Sequence, residues 1–193
     1  MLAGLAERLR ADGISVVTTR EPGGTPLGAR IRSLVLSPEE RVAPATEALL
    51  MTADRAQHVA DVIRPALARG EWVLCDRFAT ATLAYQGFGH GVPLGTLQSL
   101  IATAVGTLEP DLILLVDIPV DVSRTRVAAR SADSGRLADR MEREDEAFHR
   151  RVRDGYLRLA RENARFRILD GLRPAETLIG EALAIVREKA AQA

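Results

Sequence analysis

Apolar residues recur at helical spacing from the first turn of this chain. Leu2, Leu5 and Leu9 share one face at i, i+3 and i+7, and Gly13 ends that helix. A strand over residues 14–18 follows. Thr25 then supplies an N-cap and Pro26 a first helical residue for a helix whose apolar face is Leu27, Ile31 and Leu34. Pro44 opens a longer helix through Leu49, Leu50 and Ala53, which Pro65 kinks or divides before Gly70 stops it. Residues 72–75 read as a buried strand, 80–86 as a further helical turn and the glycine-rich 87–93 as a flexible loop. A helix over 97–105 leads to 112–116, a continuous apolar run of the kind buried on both faces of a parallel sheet. Residues 122–129 are helical, while 131–138 are small and polar, hence exposed. Phe148, Val152, Tyr156 and Leu159 mark a long amphipathic helix; a last strand at 166–169 and a terminal helix carrying Leu178, Leu183 and Val186 complete the chain. Strands separated by helices predict a doubly wound parallel α/β sheet flanked by helices, in one domain spanning 1–193.

Composition narrows the function classes. The formal net charge is +0 with 27% charged residues, so neither a nucleic-acid-binding stripe nor a polybasic membrane anchor is expected. No apolar run approaches the ~20 residues that span a bilayer. Glu7, Arg8, Arg10 and Asp12 interrupt the N-terminal segment, which does not read as a signal peptide. A lone cysteine, Cys75, excludes an internal disulfide and fits a reducing compartment, so a cytoplasmic protein is expected. Within its apolar strand it reads as an inert core thiol. His58, His90 and His149 are scattered without cysteine or paired-acid neighbours, which argues against a zinc site. Lys189 is the single lysine and sits close to the C-terminus.

The chemistry gathers at strand ends. Residues 19–25 read T-R-E-P-G-G-T straight after the first strand, and the second runs into Asp76-Arg77. Ligands of open α/β sheets sit in the crevice outside the carboxyl ends of the strands. A carboxylate there suits Mg²⁺ and the adjacent guanidinium suits a phosphate, although Asp76-Arg77 equally fits a structural ion pair. Thr82, Tyr85 and Gln86 fall on adjacent turns, either for helix packing or for joint approach to a ligand. Asp54-Arg55, in a helix that begins near Glu47, and Arg32 are each either a charged surface or part of that same pocket.

Taken in order, these segments resemble bacterial thymidylate kinase, the P-loop enzymes that phosphorylate dTMP, and the resemblance covers essentially all 193 residues. It implies a P-loop NTPase-type sheet and ATP-dependent conversion of dTMP to dTDP with Mg²⁺. By resemblance Asp76 and Arg77 form the D-R-Y/F motif, with Phe78 third; Asp76 lies by the metal and Arg77 carries the acceptor phosphate. Glu21 joins on the metal or acceptor side. Arg55 lays its guanidinium over the thymine ring, Met51 stands under the base where many members place Phe, and Arg32 points at O4. Thr82, Tyr85 and Gln86 complete the pocket, with Tyr85 crowding out a 2′-hydroxyl. Residues of about 130–141 resemble a mobile lid, whose Arg130, Arg136 and Arg140 are candidates to act on the transferred phosphate. Residues 170–174 resemble the loop that holds adenine. Partners implied are dTMP, ATP and a second copy of the chain, through helices around 49–59 and 97–105. The string G-x-x-x-x-G-K-[ST] does not occur, so no ATP-phosphate loop is found in this chain. The resemblance therefore implies a longer native form that supplies the family's first, central strand and that loop, without which the 193 residues are not expected to turn over. The competing readings are a non-catalytic remnant that binds dTMP or a partner, and a kinase for another nucleoside monophosphate.

Overall fold

The computed structural model describes residues 1–135 and 138–192. Helix α1 (Leu2–Ala11) buries Leu5, Ala6 and Leu9, as its spacing predicts, and leads into β1 (Val16–Arg20). Thr25 caps α2 (Pro26–Leu36), its side chain accepting from the Gly28 amide. Helix α3 (Pro44–His58) does not break cleanly at Pro65. It widens through a π-helical turn (Val59–Ile63), in which the Arg64 amide reaches back to the Val59 carbonyl, and re-forms as α4 (Arg64–Ala68). Proline cannot donate the bond of a regular turn, and the wider turn absorbs that loss.

Strand β2 (Trp72–Asp76) runs into α5 (Ala79–Thr82). The expected loop at 87–93 is shorter than its glycines suggest, because a second π-helical segment (Leu83–Gly89) extends α5. Helix α6 (Leu94–Val105), β3 (Ile113–Asp117), α7 (Val120–Ser134), α8 (Glu146–Glu162), β4 (Phe166–Asp170) and α9 (Ala175–Ala191) follow.

All strand pairing is parallel. β1 pairs β2 with Val16 opposite Trp72 and Arg20 opposite Asp76; β3 pairs β4 with Ile113 opposite Phe166 and Asp117 opposite Asp170. Among the described residues these are two separate two-stranded sheets, where the hydrophobic pattern predicts one. Both halves rest on the same apolar layer. Leu5, Leu9, Val16, Leu169, Leu178 and Leu183 form its buried centre, and Trp72, Leu74, Leu114 and Val116 pack against it. A second cluster, Ala84, Met141, Phe148 and Val152, joins α8 to the π-helical segment on the other side.

Candidate active site at the carboxyl ends of β1 and β2

The register that sets Arg20 opposite Asp76 brings both strand ends to one edge, and the Glu21 amide donates to the Asp76 carbonyl at 3.0 Å. The chain then turns through a cis Glu21–Pro22 bond and lies against α3. Gly24 makes that approach possible: a Cβ there would stand 2.5 Å from the His58 ring and 2.9 Å from the Arg20 carbonyl.

Helix α3 presents an unusual face. Glu47, Met51, Asp54, Arg55 and His58 follow one another at helical spacing, and all five are buried. Buried charges need partners, and here most have them. Glu21, 2% exposed, accepts from Arg55 Nε at 2.8 Å through one oxygen and meets His58 Nδ1 at 2.8 Å through the other. The far nitrogen of His58 meets the Thr19 hydroxyl at 2.7 Å. Arg55 Nη2 donates to the Thr82 hydroxyl at 3.0 Å and to the Phe78 carbonyl at 3.3 Å. Asp54 accepts from the Gly23 amide at 2.9 Å, and burial holds its carboxyl above the usual range.

A cleft opens beside this face, lined among others by Met51, Arg77, Tyr85, Gln86 and Met141. Arg77 occupies the left-handed region at φ 69°, which a non-glycine residue adopts only when its surroundings hold it there. Its guanidinium stands 5.1 Å from the centre of the Tyr85 ring, and Tyr85 meets Tyr156 edge-on at 6.3 Å. Burial pushes the Tyr156 phenol well above its ordinary value, so it stays neutral. Asp76 is exposed at the strand end, without an ion pair among the described residues.

Among the described residues four buried polar atoms have no hydrogen-bond partner, Asp54 Oδ2, His90 Nε2, Arg55 Nη1 and Gln86 Oε1; of these, Arg55 Nη1 is a donor and Gln86 Oε1 an acceptor. Gln86 sits one turn beyond Thr82, the hydroxyl that Arg55 holds. Buried orphans of this kind call for a ligand or other explanation.

The structure brings Glu21, Met51, Arg55, Arg77, Thr82, Tyr85 and Gln86 together around this cleft and its buried wall. Several of the expected site residues meet partners within the chain. The two Glu21 oxygens meet Arg55 and His58, so this carboxylate braces an arginine. Arg55 is fully buried, its guanidinium 5.6 Å from the Phe78 ring centre. Arg32 donates to the Pro22 carbonyl at 3.1 Å and packs under the turn. Arg140 turns away from the strand ends: its guanidinium binds Glu47 and donates to the Val35 carbonyl, and its amide donates to the Leu36 carbonyl. Arg130 reaches Glu142 at 2.8 Å. Arg136 lies outside the described residues.

Sequence reasoning missed Glu47 and His58 as site groups and left Asp54 open between charged surface and pocket. Their shared helical periodicity with Met51 and Arg55 carried the signal. A polar stripe in phase with apolar core positions is a buried polar face. It also missed the bidentate pair between Arg153 and Asp117, at 2.7 and 2.8 Å, which ties α8 to the end of β3 and holds the Asp117 carboxyl below its usual range.

This architecture defines the class: a parallel α/β protein with a largely apolar cleft, edged by Arg77, Gln86 and Glu47, outside the carboxyl ends of its strands. The sequence model of the family described as thymidylate kinase matches residues 1–181. The thymidylate kinase of Methylobacillus flagellatus is 50% identical over 181 residues, 93% of this chain and 86% of that protein. That of Deinococcus radiodurans is 49% identical over 189 residues, 97% of this chain and 89% of its own length. A third, from Pseudomonas fluorescens, is 54% identical over 172 residues, covering 88% and 80% respectively. The chain belongs to the thymidylate kinase family.

Proposed function

We propose that this protein transfers a phosphoryl group from ATP to dTMP, giving dTDP, and that the cleft beside α3 takes the thymine. The carrying observation is the orphaned pair, Arg55 Nη1 and Gln86 Oε1. A donor and an acceptor on neighbouring turns match O4 and N3–H of thymine, whereas cytosine presents the opposite pattern at both positions. An unmatched buried polar group costs roughly 1–3 kcal/mol, enough to set the choice of pyrimidine. Met51 and Tyr85 both line the cleft; in this reading Met51 is the apolar floor and Tyr85 the ring that crowds out a ribose 2′-hydroxyl.

Arg77 offers a planar fork to the acceptor phosphate, and its stacking on Tyr85 orients it. Asp76 fits Mg²⁺, which takes one or two carboxylates and completes its shell with water and phosphate oxygens. Bound there, the ion would neutralise charge that develops on the phosphate oxygens. Residues of about 130–141 serve as the lid. Residues 170–174 are read as the loop beside the adenine, and it is braced from within: Arg126 donates to the Gly171 carbonyl at 2.9 Å, and the Gly171 amide donates to the Asp117 carbonyl at 2.8 Å.

The finer fold reading is a five-stranded sheet. β2 and β3 pack on one apolar layer without pairing to each other, and their aliphatic residues are half-exposed. A central parallel strand between them, ending in a donor-phosphate loop, would satisfy both edges. The protein is read as a cytoplasmic homodimer.

The test is a coupled assay of ATP-dependent dTMP phosphorylation on the natural full-length protein, with dCMP as competitor. The expected result is turnover of dTMP with dCMP poor. In Asp76→Asn, kcat should fall about 10²-fold or more, while stability moves by no more than about 0.5 kcal/mol because the side chain is exposed. Equal use of dCMP, or near-normal turnover in Asp76→Asn at saturating magnesium, would sink the reading.

A further inference from the structure

Glu47 is fully buried, yet it touches no strand end and lies outside the phosphate chemistry. One of its oxygens accepts from Gln86 Nε2 at 2.5 Å, and the other is bound by Arg140. His90 Nε2 stands 3.7 Å from the first oxygen, beyond hydrogen-bond distance. A buried carboxylate is costly to keep without such partners.

A glutamine amide has two nearly superimposable orientations that expose opposite chemistry. In most pockets a ligand can therefore find either end. Here it cannot. A carboxylate paired with a guanidinium is ionised and can only accept, so Gln86 must turn its NH₂ group toward Glu47. The planar amide then puts Oε1 on the side away from Glu47, and this is the atom left without a partner.

We propose that Glu47 is the specificity-determining positioning residue of the pyrimidine pocket. It fixes the Gln86 amide with its carbonyl oxygen toward the base, so that the pocket demands a ring N–H and rejects a ring nitrogen lone pair. This rests on the thymine reading given above. Arg140, at the C-terminal end of the lid segment, closes the chain Arg140–Glu47–Gln86. The orientation of the base-reading amide thus depends on a residue contributed 54 positions further along the sequence, since 140 − 86 = 54.

Calorimetric titration of the protein with dTMP and with dCMP tests this without turnover. The panel is wild type, Glu47→Gln, Glu47→Asp, Gln86→Leu and Glu47→Gln/Gln86→Leu. Wild type should prefer dTMP. Glu47→Gln keeps the shape but lets the amide flip, so the dTMP:dCMP affinity ratio should fall at least about tenfold. Glu47→Asp keeps the charge facing Arg140 while drawing back by one methylene, and should lower the ratio in the same direction even if Glu47→Gln folds poorly. In the Gln86→Leu background, Glu47→Gln should change the ratio by no more than about twofold, because there is no amide left to orient. Equal weakening of both nucleotides in the single variants would reduce Glu47 to a structural brace and overturn the proposal. An undiminished effect of Glu47→Gln in the Gln86→Leu background would overturn it too. Failure of wild type to bind dTMP would instead overturn the thymine reading, and this inference with it.

Discussion

Asp54 spends one oxygen on the Gly23 amide and keeps the other buried without a partner among the described residues. Burial is the largest cause of its raised pKa, ahead of the opposing Gly23 bond, with the nearby Glu21 carboxylate adding to it. The folded state therefore holds this proton more tightly than the unfolded chain does. Wherever the native state binds more protons, stability falls as pH rises, so Asp54 weakens the fold from about pH 4 upward through its folded pKa. Asp54→Asn keeps an acceptor for Gly23 and cannot ionise. Thermal melts of both proteins between pH 4 and 7 should show the variant gaining on wild type as pH rises. Parallel curves would mean that the carboxyl is neither desolvated nor raised. At this scale the sequence was informative about which side chains matter and poor on whom they meet. Arg55 and Gln86 stand out in the chain, but their partners Glu21 and Glu47 are 34 and 39 residues away. Only the folded turn over α3 decides that Arg55 is braced by Glu21.

Helix α8 is positioned by small residues as much as by large ones. Phe148 is 1% exposed and lies 6.1 Å from Tyr85, and Asp145 caps the helix by accepting from the Phe148 amide at 2.6 Å. At Gly155 a Cβ would stand 2.4 Å from the Phe88 ring. Alanine in a helix interior is ordinarily better than glycine by about 1 kcal/mol. Here the clash reverses the sign, and Gly155→Ala should cost about 1–3 kcal/mol in denaturant unfolding and loosen the Tyr85 wall of the cleft. A stabilised variant would show that α8 does not pack so closely. The strands and most helices were readable from periodicity, because each has an apolar face in phase with its geometry. The stretch at 87–93 was not. Two glycines read locally as a flexible loop, but Gly87 sits against Leu94 and Leu97, and Gly89 against Phe148 and Val152. Close tertiary packing winds them into helix.

At the scale of the whole molecule, the helices expected to carry a dimer turn only part of their apolar residues outward. Val59, Leu97 and Val105 are core residues, at 3%, 0% and 5% exposure, while Leu49 on α3 is 57% exposed. Leu27 and Leu34 on α2 are also turned outward, at 46% and 51%. If two copies associate as proposed, this is the apolar face they would share. Leu34→Glu combined with Leu49→Glu should convert a dimer to monomer in sedimentation at micromolar concentration, leaving the melting of the monomer largely unchanged. A dimer that persists would move the interface elsewhere. Hydrophobic patterning identified the strands and their direction, but it cannot report which strands pair, since an apolar run suits either side of a neighbour. The pairing of β1 with β2 and of β3 with β4 emerged only in three dimensions, while the split between the two sheets falls where the resemblance sets the family's central strand. Cys75 gives that split a practical consequence. The chain's single thiol sits on β2, one residue before Asp76, donating to the Arg77 carbonyl at 2.9 Å, and burial keeps it protonated far above neutral pH. Only the thiolate reacts. Alkylation of the native protein is thus throttled by the same packing that holds the Asp76 strand end, and a mass spectrometer counting one label per chain becomes a clock for the opening of the sheet.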